Sequence, residues 1–286
     1  MAIIPRQSLL LGMLAETFVH VGDGQSNSVI DLPVARERFT NYPFIPGSGV
    51  KGAFKSWAEE QAGFDEIERN LMFGVVDGAG TLLFTDARLL LRPVRSLNAA
   101  YIWLTCPYIL ERLSRDVQCA GRTPWPNNLE NILDGKYHGP EHTPLVLEER
   151  EFSHLGAVPV QILAGLSLLL PSGPRERLEE QLAIVSNTDF RWFATYGLQI
   201  SAHNKLTKKK TSENLWYEET LPPETLMYCR IIERSAGTLN AIKNKIIGTN
   251  RYCQFGGNET VGQGWFQLTQ PEFAPTTAQQ AGGALA

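Results

Sequence analysis

The chain reads as a protein of the α+β or α/β class, and three observations carry that reading. Short apolar runs of strand length alternate with segments whose apolar residues fall at helical spacing. Of the 286 residues, 43% are hydrophobic and 20% charged, the balance of a folded globular chain of one large domain or two small ones. Two glycine-rich segments punctuate the pattern near its ends, Gly47-Ser48-Gly49-Val50-Lys51-Gly52 and Gly256-Gly257-Asn258-Glu259-Thr260-Val261-Gly262-Gln263-Gly264.

The elements follow in order. Ser8 to His20 reads as a buried first strand, ending at a Gly22-Asp23-Gly24 turn. Residues 25–38 read as extended or irregular, with Pro33 limiting any helix. Ser48 is a suitable N-cap, and Val50, Phe54 and Trp57 sit at helical spacing, so a helix is expected to about Ala62, closed by Gly63. Leu82 to Leu91 reads as a strand, Pro93 to Trp103 as another, and Pro107 to Val117 as a helix. Residues 121–143, rich in Pro, Asn, Gly and His, read as a loop insertion or flap. Val158 to Leu170 looks strand-like, while Arg175 to Val185 and Phe190 to Gly197 look helical. From Gln199 the chain turns polar and basic. Leu226 to Glu233 reads as a strand, Thr238 to Ile247 as an amphipathic helix and Trp265 to Leu268 as a short strand. The tail, 271–286, reads as disordered from its Ala, Gln, Gly and Thr content.

Composition also narrows function. The net charge of −4 argues against a uniformly basic nucleic-acid binder but leaves room for one basic face. Four cysteines lie far apart without C-x-x-C spacing, which speaks against a disulfide framework or a zinc site and fits free thiols in a reducing cytoplasm. The run Leu9 to Leu14 lacks a cleavage site for a signal peptide. No apolar stretch approaches the roughly 20 residues that span a bilayer.

The candidate chemistry gathers around polar residues beside glycines. Small residues let a backbone approach a bulky anion and let amides converge on it, although either glycine loop alone reads equally as a tight turn. Lys51 lies in the first turn of its helix, where a cation opposes the macrodipole unless a bound phosphate reverses the sign. The spacing is not that of a P-loop. His20 and Asp31 bracket the Gly22–Gly24 turn. An aspartate beside a phosphodiester can bind Mg²⁺ or steer a ribose hydroxyl, and a histidine can move protons; from the residues alone, the reading of Asp31 as a turn or cap aspartate and of His20 as a core or turn histidine is the favoured one. Lys208, Lys209 and Lys210 precede Trp216 and Tyr217, which could stack on bases. Glu218 and Glu219 follow, readable also as a surface acidic pair. His138 and His142 are four apart, but Gly139 and Pro140 between them exclude a helical metal pair.

Taken together, these segments resemble the RAMP superfamily of CRISPR proteins. The resemblance is carried by His20-Val21-Gly22-Asp23-Gly24, Ile30-Asp31-Leu32-Pro33-Val34, Ile45-Pro46-Gly47-Ser48 with Lys51-Gly52, and the glycine-rich loop from Gly256 to Gly264. The Asp31-Leu32-Pro33 version, with Leu215-Trp216-Tyr217-Glu218-Glu219 and Leu221-Pro222, is similar to the repeated backbone subunit of type III-B (Cmr) effector complexes. The likeness covers most of residues 8–268 and is weakest over about 92–150.

The resemblance implies an α+β, ferredoxin-like (RRM-type) core as a single domain over 1–270. It implies a helical insertion over about 92–150 and a thumb hairpin near 199–224. Its partners would be a CRISPR guide RNA, single-stranded target RNA, further copies of itself and the other subunits of the complex, in the cytoplasm and without membrane contact. It implies endoribonuclease activity in which Asp31 supports cleavage with a transient Mg²⁺ or Mn²⁺, with His20 and Glu218 or Glu219 as accessories. Guide RNA would be held by Ser48, Lys51, Gly256, Gly257, Asn258, Thr260, Gly262, Gly264 and Lys208 to Lys210. The family often carries a basic residue where this chain has Ala202-His203-Asn204. Base pairing then reads sequence while protein holds the backbone, so an acidic chain suffices. Two other readings stay open: a scaffold that holds guide RNA without cutting, and a standalone guide-processing nuclease, against which Asp31-Leu32-Pro33 speaks.

Overall fold

The computed structural model describes residues 7–22, 24, 29–60, 63–124, 129, 131–235, 237–247 and 251–273. Strand Ser8–Ala15 is apolar along its length because both faces are covered. Leu10 and Leu14 enter one core with Leu89, Leu91 and Tyr228. Leu9, Leu11 and Met13 enter another with Met227, Cys229 and Ile231. Gly12 is required where it stands, since a Cβ there would overlap the Leu169 carbonyl.

The centre of the sheet runs Trp265–Thr269, Ser8–Ala15, Leu226–Glu233, Ala87–Val94, each neighbour antiparallel. Helix Gly47–Glu60 follows the first of these strands in sequence. Helix Thr238–Ile242 with the π-helical turn Lys243–Ile247 precedes the last. This is β-α-β-β-α-β connectivity with strand order 4-1-3-2, the ferredoxin-like arrangement. Val50, Phe54, Trp57 and Ala58, at i, i+4, i+7 and i+8, bury one face of Gly47–Glu60 in the second core. Phe54 there stacks on Phe84 at 5.7 Å and meets the edge of Phe255 at 5.6 Å. The helix is thereby fastened to the sheet and to the start of the C-terminal glycine loop.

The chain between Val94 and Leu226 lies outside that core pattern. It extends the sheet through Ile102–Thr105, Leu182–Val185, Lys136–His138, Arg150–Gly156 and Leu145–Leu147. Pro107–Cys119 and Asn187–Tyr196 are its longest helices. This outer lobe reaches well past residue 150. Beyond it, Gln199–Leu206 and Ser212–Thr220 pair as an antiparallel hairpin that stands outside the large sheet.

Several elements depart from the sequence reading. The first strand ends at Ala15, not His20; Val19 makes only an isolated bridge to Leu221. Ser48 is not the N-cap. The helix begins at Gly47, whose amide donates to Asp86 Oδ1 at 2.7 Å. Leu82–Phe84 and Ala87–Val94 are two strands; Pro93 lies inside the second, and the next strand, Ile102–Thr105, starts only at Ile102. The apolar run after Val158 is a helix, Val160–Ser167, entered from Pro159. Periodicity cannot separate a buried strand from a buried helix in so short a run. Conversely, Leu182–Val185 is a buried strand rather than the end of a helix. Helix Glu66–Phe73 escaped notice although Asp65 and Glu68 form a capping box. The ends proposed at Ala62 and Gly248, and the tail from 274, lie outside the described residues.

All four cysteines are free thiols. Burial pushes Cys229 and Cys253 up to about 12 and Cys106 up to about 11, so these behave as small apolar side chains. Among the described residues no helix is long and apolar enough to cross a membrane.

Candidate functional site

The base of the hairpin gathers the residues that the sequence scatters. Three consecutive positions, Tyr217, Glu218 and Glu219, form its rail. The Leu32 segment runs parallel beside Glu218. Leu32 donates its amide to the Tyr217 carbonyl at 3.1 Å and accepts that of Glu219 at 3.0 Å. Next to it, Asp31 Oδ2 accepts the Tyr217 amide at 2.8 Å. The other Asp31 oxygen has no partner among the described residues, so a partly exposed carboxylate stands with one oxygen fixed and one open.

His20 meets the same rail from the other side. Its Nδ1 lies 2.9 Å from the Glu219 carbonyl and 3.7 Å from Glu218 Oε1. A carbonyl can only accept, so in the neutral ring the proton sits on Nδ1 and Nε2 is left to accept. A Cβ at Gly22 would stand 2.9 Å from Nε2. Glycine there leaves that nitrogen its space.

The C-terminal glycine loop closes over His20. The Gly257 amide donates to the His20 carbonyl at 2.8 Å. Gly256 has φ +90°, and a Cβ there would come within 2.4 Å of that carbonyl oxygen. Asn258, at φ 60°, turns its side chain inward: Nδ2 donates to Glu218 Oε1 and, at 3.0 Å, to Gln263 Oε1. Gly264 is buried, and its amide donates to the Phe18 carbonyl at 2.8 Å. Asn258 and Gly264 therefore shape the loop, while Gly256, Gly257, Thr260 and Gly262 are exposed for a ligand.

Glu218 and Glu219 are both buried, not a surface pair. They divide in role. Glu219 Oε1 accepts Arg36 Nη2 at 2.7 Å and its Oε2 accepts the Val34 amide at 3.1 Å. Arg36 also donates to the carbonyls of Asn41 at 2.9 Å and Ala194 at 2.7 Å. Glu219 is thus fully engaged as a strut. Glu218 faces His20 and Asn258. Arg36 was missed in the sequence because its partner stands 183 positions away, and no local pattern joins them.

The donor set also bears on metal. The described residues hold no group of three or more His, Cys, Asp or Glu that would cage an ion. The open Asp31 oxygen fits instead a hydrated Mg²⁺ or Mn²⁺, which keeps most of its waters and takes one or two carboxylates beside a substrate phosphate.

Lys51 is exposed and borders a cavity of about 280 Å³ with Gly47, Ser48, Gly80, Leu83 and Arg234. Arg234, also absent from the sequence reading, doubles the positive charge there. Asp86 occupies the Gly47 amide, so an anion would find the Ser48 and Gly49 amides left over by helix geometry. Lys208, Lys209 and Lys210 are exposed in the turn at the hairpin tip, at the far end from Asp31. Trp216 does not stand free; it stacks on His203 at 5.6 Å. Tyr217 remains 44% exposed.

A ferredoxin-like core whose C-terminal glycine loop clasps a histidine and a projecting hairpin defines a class of protein. A family model described as the RAMP superfamily matches residues 13–267, and the chain belongs to that superfamily. It is 30% identical to the CRISPR system Cmr endoribonuclease Cmr4 of Pyrococcus furiosus, over 93% of this chain and 96% of that one. It is 26% identical to the CRISPR system CMR subunit Cmr4 of Saccharolobus solfataricus, over 89% of this chain and 93% of the relative. The crystal structure of oligomeric Cmr4 from Pyrococcus furiosus matches with TM-score 0.76 at 26% identity, covering 94% of this chain and 99% of that chain. A chain of the type III-B Cmr-beta complex bound to cognate target RNA, studied by cryo-EM, matches in fold with TM-score 0.75 at 20% identity, covering 93% and 98%.

Proposed function

We infer that this chain is the repeated backbone subunit of a type III-B CRISPR effector complex, which binds guide RNA and cleaves complementary target RNA. The relatives named Cmr4, one of them an endoribonuclease, support this. The observation that carries it is the meeting of Asp31, His20, Glu218 and the glycine loop on residues 217–219. The domain is a single RAMP unit with the hairpin as its thumb, and it works in the cytoplasm with copies of itself and the other complex subunits.

Guide RNA backbone lies along the exposed glycines Gly256, Gly257 and Gly262 and at Lys51, Ser48 and Arg234, where amides and cations meet phosphate. The target strand passes the hairpin base. Cleavage proceeds by attack of a ribose 2′-oxygen on the adjacent phosphorus, with departure of the 5′-oxygen, leaving a 2′,3′-cyclic phosphate and a 5′-hydroxyl. His20 Nε2 is the atom placed to take the 2′-hydroxyl proton, and water supplies the proton that the departing 5′-oxygen takes up. Glu218, buried, places its Oε1 3.7 Å from Nδ1, against the ring that receives the proton. Asp31, fixed through one oxygen by Tyr217, offers the other to orient the ribose hydroxyl. A Mg²⁺ or Mn²⁺ arriving with the RNA would be held at this oxygen and would offset charge on the scissile phosphate.

Asp31→Asn keeps the size of the side chain and an acceptor for the Tyr217 amide while removing charge. Complexes reconstituted with that variant are expected to bind target RNA as the wild type does and to leave it uncut. Wild-type cleavage by the variant would overturn the assignment.

A further inference from the structure

The glycine loop joins one end of strands Tyr252–Gln254 and Trp265–Thr269, and a second cavity lies at their other end. Its volume is about 450 Å³, inside the range of small-ligand sites. Arg175, Lys243 and Arg251 line it, with Gln267 and Gln270 among the polar groups and Glu272 as its one acid. Arg175 Nη2 donates to the Leu170 carbonyl at 2.8 Å, which steadies that guanidinium without neutralising it. None of the three cations has a carboxylate partner among the described residues, whereas eleven other basic side chains do, counting Arg36, Arg69, Arg88, Arg95, Arg112, Arg115, Arg150, Arg177, Lys205, Arg230 and Lys245.

Three cations and one acid around one cavity leave a net positive charge that a bound anion would offset. Lys243 moreover comes from the π-helical turn Lys243–Ile247, a backbone form that is rare and gathers at functional sites. Guanidinium groups suit phosphate oxygens. The amides of Gln267 and Gln270 each offer a donor and an acceptor, the complement of a nucleobase edge. The volume exceeds what phosphate alone needs.

We propose that this cavity binds a nucleotide through its phosphate, at a site separate from the base of the hairpin. The phosphate comes either from a free nucleotide or from a strand of RNA. The assignment stands on the cavity itself and does not depend on the cleavage chemistry above.

Calorimetric titration of the full chain with adenosine 5′-monophosphate tests it, with adenosine as the control ligand. The expected result is binding of the monophosphate, none of adenosine, and at least a tenfold loss of affinity in the double variant Lys243→Ala, Arg251→Ala. Arg251 is exposed and Lys243 half-buried, and an unchanged melting temperature in that variant verifies the fold. Arg115→Ala, an exposed cation of helix Pro107–Cys119 that lines neither cavity, is expected to bind the monophosphate as the wild type does. Titration with a guide-length single-stranded RNA separates the two sources. RNA affinity that falls in the double variant assigns the site to a strand; RNA affinity that is unchanged while monophosphate binding is lost assigns it to a free nucleotide. Equal binding of monophosphate and adenosine, no binding of either, or unchanged monophosphate binding by the double variant would overturn the proposal.

Discussion

Adjacent glutamates at 218 and 219 are alike in sequence and opposite in task. Glu219 neutralises Arg36, whose other donors already serve backbone carbonyls. Removing it leaves a mostly buried guanidinium uncompensated. Glu219→Ala is therefore expected to destabilise the chain by about 3 kcal/mol, the scale for breaking one side of a buried ion pair, measured by urea denaturation. Glu218→Gln keeps its shape and the acceptor for Asn258. It should leave the melting temperature nearly unchanged while slowing cleavage, because the charge beside His20 is lost. Equal stability losses in the two variants would refute this division. Gly256→Ala makes the third contrast. Its φ of +90° and the approach to the His20 carbonyl leave no room for a methyl group, so the loop should shift and stability fall by about 1–3 kcal/mol.

At the scale of elements, the loops proposed to hold RNA would act through helix ends and turns. Lys51 and Arg234 face one cavity. Lys51→Ala should weaken guide RNA binding regardless of sequence and lower the salt slope by about 0.7, the share of one single-strand phosphate contact. An unchanged slope across a salt titration would count against contact at this helix. The glycine motifs were legible in the sequence as local patterns, whereas Asp31 stood out through the family resemblance, since the Tyr217 amide that fixes it lies 186 positions away. The strands Leu226–Glu233 and Trp265–Thr269 were legible too, since apolar runs bounded by turn residues leave few alternatives. What failed was identity inside the outer lobe. Val160–Ser167 and Leu182–Val185 are both short and apolar, and only packing decides that the first coils and the second extends. Asp86 and Arg36 stayed hidden for another reason: each acts on a partner remote in sequence, the Gly47 amide and the Glu219 carboxylate.

At the scale of the molecule, one ferredoxin-like sheet with two cores carries a hairpin whose two strands join no larger sheet and whose base is bridged by the Leu32 segment. Its outward residues Ile200, Leu206, Leu215 and Tyr217 are exposed. A backbone subunit repeats head to tail, and such an interface propagates as an open helix. Mixing the purified chain with guide-length RNA should give a ladder of rising mass by light scattering. A strict monomer with and without RNA would contradict repetition.

The central claim is that guide pairing brings target RNA across Asp31 and His20 in each copy. Gel mapping of an end-labelled complementary RNA, cut by the complex reconstituted with guide RNA and its other subunits, tests that claim most directly. The account predicts cuts at a constant interval set by the subunit repeat, each leaving a 2′,3′-cyclic phosphate, all absent with Asp31→Asn. Irregular cuts, or a regular ladder that survives Asp31→Asn, would contradict it.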